Sequence, residues 1–176
     1  MQKRSKTVIL FSLLIVSLYF LTLGKVEQLS FSKQQGQDNF SYAIISQFIH
    51  LNVWHLLVNL SSLLYLSRKK WKEKWYAILF LTTIIVTAFG LKIFANSQFF
   101  YLGSSGISFA LLGFKICQRH KTKEEKVDCF SDVIFMVGMT LIVPNISCLV
   151  HFTGLFTGLM IGSLANLLNK KGTHNE

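Results

Sequence analysis

The sequence predicts an all-α, polytopic membrane protein, a bundle of six transmembrane helices with both termini in the cytoplasm. Two observations lead there. The first is that 51% of the 176 residues are hydrophobic, and they come in long blocks and not at amphipathic spacing. Thr7 to Leu23 is seventeen residues without a charge, Ala77 to Leu91 fifteen, and Ile146 to Leu168 twenty-three with His151 alone chargeable. Roughly 20 such residues cross a bilayer.

The second observation is where the net charge of +10 resides. Lys3, Arg4 and Lys6 precede the first block; Arg68, Lys69, Lys70, Lys72 and Lys74 occupy one connection, Lys115, Arg119, Lys121, Lys123 and Lys126 another, and Lys170 and Lys171 the end. Those are fifteen of eighteen, which leaves Lys25, Lys33 and Lys92 for the opposite side. The positive-inside bias then places both termini in the cytoplasm, and an even number of spans follows. Charge arranged in this way speaks for a lipid bilayer and against nucleic acid as the partner.

The spans are expected at about 7–23, 42–66, 76–94, 105–117, 130–143 and 146–168, in a single domain over 1–176. The first has the layout of a signal peptide, but its apolar run is longer than the usual ~7–15 residues and no small-x-small site follows, so it reads as an uncleaved helix. Gly24 to about Phe40 is a polar connection that lies on the outer face. The second span is approached by an interfacial stretch ending near His50, and it exits through basic residues mixed with Trp71 and Trp75, the anchors of a headgroup layer. Ala95 to Leu102 forms an outer loop after the third span. The fourth helix has only thirteen residues, a rise of ~20 Å against a hydrocarbon core of ~30 Å, so its first turn starts at depth. Pro144, the only proline in the chain, marks the outer turn between the last two spans.

That short helix opens with Gly103-Ser104-Ser105-Gly106. Irregular backbone at membrane depth survives only where protein encloses it or water lines it, which implies a cavity at Ser105. His55 and Asn59, four apart, share one face of the second span, whereas His50, five before His55, points elsewhere on a continuous helix. His55, Ser105 and His151 all fall near the outer ends of their spans. Gly106, Ala110 and Gly113 on the fourth helix, and Gly154, Gly158 and Gly162 on the sixth, have the small-residue spacing that lets backbones approach closely.

This set permits nucleophilic catalysis, with His151 taking the proton of Ser105 as its hydroxyl attacks a carbonyl. No carboxylate is expected beside His151, so the site would be a dyad. Asn59, His55 and the amide of Ser105 would donate to the oxyanion. Ser104 reads as a turn residue and Ser108, about 300° around the helix, as lying off the site. No cofactor is expected. A metal is disfavoured because His50 and His55 fall on different faces with no carboxylate or thiolate at their level. A transporter has no need of a glycine-framed serine at a helix start.

The chain resembles the rhomboid intramembrane serine proteases. Gly103-Ser104-Ser105-Gly106 is similar to the family's Gly-x-Ser-Gly with Ser105 as nucleophile, and His151-Phe152-Thr153-Gly154, with Gly158 beyond, to its His-x-x-Gly-x-x-x-Gly. His50 to Asn59 is similar to its His-x4-His-x3-Asn, in which the later histidine and the asparagine serve the oxyanion and the earlier histidine supports the site. Phe109 stands where the family often has a ring packed on the catalytic histidine. The resemblance covers about Phe48 to Leu168 and implies a minimal six-helix core that cleaves single-span membrane proteins near the outer face. Substrates would arrive between the second and fifth spans, and the expected location is the plasma membrane of a prokaryote. The first outer connection lacks the family's frequent Trp-Arg pair, Trp71 stands where a glutamate is usual with Glu73 near, and Val150 replaces an alanine. A catalytically inactive relative that binds membrane clients would share the fold, but the intact Ser105 and His151 argue against it.

Overall fold

A computed structural model describes residues 5–68, 71–118, 122–142 and 147–172, with the side chains of 141–142 and 169–172 left aside. Among the described residues the chain forms eight α-helices: α1 Lys6–Leu21, α2 Val26–Leu29, α3 Phe40–Ile45, α4 Val53–Leu66, α5 Glu73–Phe94, α6 Ser105–Cys117, α7 Lys123–Ile142 and α8 Cys148–Gly172. A 3-10 turn, Ser46–Phe48, follows α3, and extended pairing among the described residues is limited to two isolated bridges. The fold is all-helical, as the apolar blocks require.

Among the described residues two helices, Glu73–Phe94 and Cys148–Leu168, are long and apolar enough to cross a bilayer unaided, and the bent pair Phe40–Phe48 and Val53–Leu66 makes up to a third. The helices α1 and α6 are apolar but shorter, and α7 begins in charged sequence. The expected turn at Pro144-Asn145 lies outside the described residues.

The stretch 42–66 differs from a single span. Its two halves meet at 84°, because Asn52 is extended (φ −157°, ψ 177°) and its side chain accepts from the amide of His55 at 2.9 Å. That is an N-cap, and it starts α4 afresh. The lead-in is fixed to α5 by Gln47, whose amide nitrogen donates to the carbonyls of Ile84 (2.9 Å) and Ala43 (2.8 Å).

Helix ends are tied to one another by charge. The carboxylate of Glu73, in the first turn of α5, takes hydrogen bonds from the amides of Lys6 (3.0 Å) and Thr7 (3.3 Å) and from the hydroxyls of Ser5 (2.7 Å) and Thr7 (3.0 Å). An anion there satisfies the orphan amides of α1 and favours its dipole. At the far end of α4, Arg68 meets Asp128 (2.5 Å) and Asp132 (2.6 Å) of α7, and Lys115 of α6 meets Asp128 (2.7 Å) and Asp132. Lys115 and Asp132 are fully buried, so Lys115, counted by sequence among the charges of a basic connection, lies inside the bundle. An ion in this setting persists only when paired.

The main buried core joins α1, α4, α5 and α6, and α8 packs against α6 backbone to backbone. A Cβ added to Gly154 would fall on the carbonyl of Gly106, one on Gly158 on the carbonyl of Ala110, and one on Gly113 on the carbonyl of Leu155. The two backbones touch, which is what the glycine spacing predicts. Near the other end, the thiol of Cys117 donates to the carbonyl of Leu159 (3.2 Å), and Asn166 donates to the carbonyl of Cys117.

The connection between α1 and α3 does not simply lie on the surface. Phe31 is fully buried, and its backbone pairs with that of Tyr101 in both directions, 3.1 Å from the Phe31 amide and 2.9 Å from the Tyr101 amide. Tyr101 also accepts at its hydroxyl from the amide of Asn96 (2.9 Å). The loop that leads into Ser105 is therefore held from two sides before α6 begins.

Candidate active site

The close approach of α6 and α8 brings Ser105, first residue of α6, to His151 in the first turn of α8. Their Oγ and Nε2 atoms lie 3.0 Å apart, and both residues are half-buried. Ser147 sets the start of α8, its hydroxyl accepting from the amide of Val150 (3.2 Å) and its carbonyl from that of His151 (3.2 Å). Phe109, one turn after Ser105, stacks on the His151 imidazole with ring centres 4.0 Å apart and planes within 19°. Stacking fixes the tilt of the ring, so Nε2 stays aimed at the hydroxyl. No group of three or more metal-ligating side chains occurs among the described residues.

Gly103 has φ +104°, a conformation strained for any residue with a Cβ. Its amide donates to the carbonyl of Ser46 (2.9 Å). A Cβ on Gly103 would meet Cε1 and Nε2 of His55 at 2.7 Å and Nδ2 of Asn59 at 3.6 Å, so both side chains reach the backbone just ahead of the serine. The amide of Leu51 points at Nδ1 of His55 (3.3 Å). An amide can only donate, so Nδ1 accepts and the ring proton sits on Nε2, against Gly103. Asn59 donates one amide proton to the carbonyl of His55 (2.9 Å) and keeps a second.

His50 is placed differently from the helical expectation. Because the helix breaks between Phe48 and Val53, its ring turns inward, fully buried, with its centre 5.2 Å from that of His55. Nδ1 lies 3.1 Å from the carbonyl of Phe48, and Nε2 lies 3.3 Å from the hydroxyl of Ser104. Ser104 is itself buried, so it is more than a turn residue. Gly106 supports the site from behind: a Cβ there would meet Cγ1 of Val150 at 3.1 Å.

The structure thus brings together Ser105, His151, Phe109, Gly103, His55, Asn59 and His50, with Gly106 and Gly154 at the contact beneath. Sequence reasoning missed the amide of Leu51, the hydroxyl of Ser104 and the Phe31–Tyr101 pairing. A helix-start signal at Asn52 was there to be read; the backbone pairing of two distant residues left no local signal.

The arrangement offers a hydroxyl paired with an imidazole, next to a glycine backed by two N–H donors. A comparison with curated proteins gives no match. The family model described as Rhomboid domain matches residues 37–166, well over half of the 176. On that match, with the apolar helices already described, this integral membrane protein belongs to the rhomboid family.

Proposed function

We propose that the protein is an intramembrane serine endopeptidase that cuts single-span membrane proteins near the outer face with a Ser105–His151 dyad. The observation that carries this reading is the 3.0 Å approach of Oγ to Nε2 under the stacked ring of Phe109. His151 accepts the Ser105 proton at Nε2 as Oγ bonds to the scissile carbonyl carbon. The carbonyl oxygen becomes an oxyanion, which takes hydrogen bonds from the Ser105 amide, from Nε2–H of His55 and from the free N–H of Asn59. His151 then protonates the leaving amine, the C–N bond breaks, and an acyl-enzyme remains. Water attacks that ester with His151 again as base, and Ser105 is regenerated.

The reading includes six crossings, with both termini in the cytoplasm and the membrane that of a prokaryotic cell. The short α6 starts below the outer surface, so the substrate arrives sideways from the lipid, between α4 and α7, and must unwind where it is cut. Small or helix-destabilising residues such as Gly, Ala or Pro near the outer end of the client span suit such a site, Gly and Pro because they weaken the helix. The test is labelling of purified protein by a fluorophosphonate: wild type reacts, whereas Ser105→Ala and His151→Ala stay folded and unlabelled. A spanning client is then cut at its Gly/Ala segment, and cutting is lost when that segment is changed to Leu. Labelling of Ser105→Ala, or efficient cleavage of the Leu version, would refute the assignment.

A further inference from the structure

Ser104 occupies the N-cap of α6 (φ −86°, ψ 12°) but makes no side-chain cap hydrogen bond. A serine in that position ordinarily accepts from an amide two or three residues on. Here its hydroxyl is committed to Nε2 of His50 at 3.3 Å instead. The direction of that bond follows from the other side of the ring. Nδ1 faces the Phe48 carbonyl at 3.1 Å, and a carbonyl only accepts, so Nδ1 carries the hydrogen. In the neutral ring Nε2 is then the acceptor and Ser104 the donor.

Two consequences meet at the reacting carbonyl. A capping side chain would take the amide of Gly106 or Ile107, and the amides of Ser105 and Gly106 have no acceptor among the described residues. The His50 ring, fixed at both nitrogens, forms the wall against which His55 rests at a centre-to-centre distance of 5.2 Å. His55 in turn keeps Nε2 against Gly103, the residue before Ser104.

We propose that Ser104 is a positioning residue for the reaction: its hydroxyl, withheld from capping α6, holds His50 and through it His55, the ring whose Nε2–H serves the oxyanion. This rests on the protease reading above. Ser104 touches no reacting atom and acts through the two rings. Ser108 supplies the contrast, since its hydroxyl lies one turn further along α6, equally buried, with no hydrogen-bond partner among the described residues.

The experiment is a double-mutant cycle on kcat and KM for a spanning substrate, with thermal unfolding measured on every variant and fluorophosphonate labelling as a second rate. Ser104→Ala lowers kcat roughly tenfold with KM little changed, as expected for misplaced donors. Ser104→Thr, which keeps the hydroxyl, recovers most of that loss, and Ser108→Ala stays within twofold of wild type. In a His50→Ala background Ser104→Ala adds less than a further twofold, because the residue it acts through is gone. Full additivity with His50→Ala, a Ser104→Ala enzyme within twofold of wild type, or loss of fold in Ser104→Ala would overturn the inference while wild type still labels. Failure of wild type to label would remove the protease reading itself, and this inference with it.

Discussion

Substituting Gly103 by Ala tests whether His55 serves the oxyanion from where it stands. The new methyl would lie 2.7 Å from Cε1 and Nε2 of His55, where ordinary contact begins at 3.4 Å. The ring must therefore retreat by roughly 1 Å, a displacement that costs on the order of 10²-fold when it moves a group out of line with the reacting atoms. Its neighbour His50, with ring centre 5.2 Å away, is itself fixed by Ser104 and the Phe48 carbonyl and gives little room. Backbone strain at φ +104° adds ~1–3 kcal/mol against the fold. The expected result is a kcat reduced ~10²-fold with KM within a few-fold, matching the loss of one oxyanion donor. The assay is turnover of a reconstituted single-span substrate, with the fluorophosphonate rate measured in parallel and unfolding temperature as the control for strain. A Gly103→Ala protein with wild-type kcat, or one whose only defect is a raised KM, would refute the role given to His55.

Three further outcomes are expected. Asn59→Ala lowers kcat by up to ~10²-fold with a smaller effect on KM, since the free N–H of Asn59 is an oxyanion donor; a defect confined to KM would make it a binding residue. Lys115→Met takes one of its two cations from the fully buried carboxylate of Asp132, leaving Arg68 at 2.6 Å, and destabilises by ~1–3 kcal/mol, whereas Lys115→Met with Asp132→Leu recovers much of that loss in equilibrium unfolding. Gly154→Ala forces α8 from α6 and costs ~1–3 kcal/mol or more together with activity, while Gly138→Ala, which meets nothing within 4 Å, leaves both unchanged.

The parts of the fold that sequence made plain are those written in local pattern. The thirteen residues of α6 are bounded by glycine and serine on one side and by basic sequence on the other, and the helix runs over the expected positions. The glycine stripes pointed to the α6–α8 contact, because close backbone approach has a spacing of its own. Between Phe48 and Val53 the pattern misled: Leu51, Val53 and Trp54 keep the stretch apolar, so a continuous span was the natural reading and His50 was sent to the wrong face. One side chain, Asn52, decides otherwise by capping α4. Pairings made across the fold were out of reach for a different reason. Lys115 with Asp132, Glu73 with the start of α1, and Phe31 with Tyr101 depend on which helix ends meet, and nothing near those residues encodes their partners.

The contact between α6 and α8 also bears on how this protein can change over generations. Gly106 faces a side chain, Cγ1 of Val150 at 3.1 Å, so an alanine at 106 has a natural suppressor in Val150→Ala. The outward methyls of Gly154 and Gly158 would instead strike peptide carbonyls, and no second substitution can trim a carbonyl. Those two glycines therefore stand without routes of compensation, whereas Phe152 and Phe156, exposed on the same helix, are free to drift among apolar residues. A library of second-site revertants would consequently be rich for Gly106→Ala and nearly empty for Gly154→Ala.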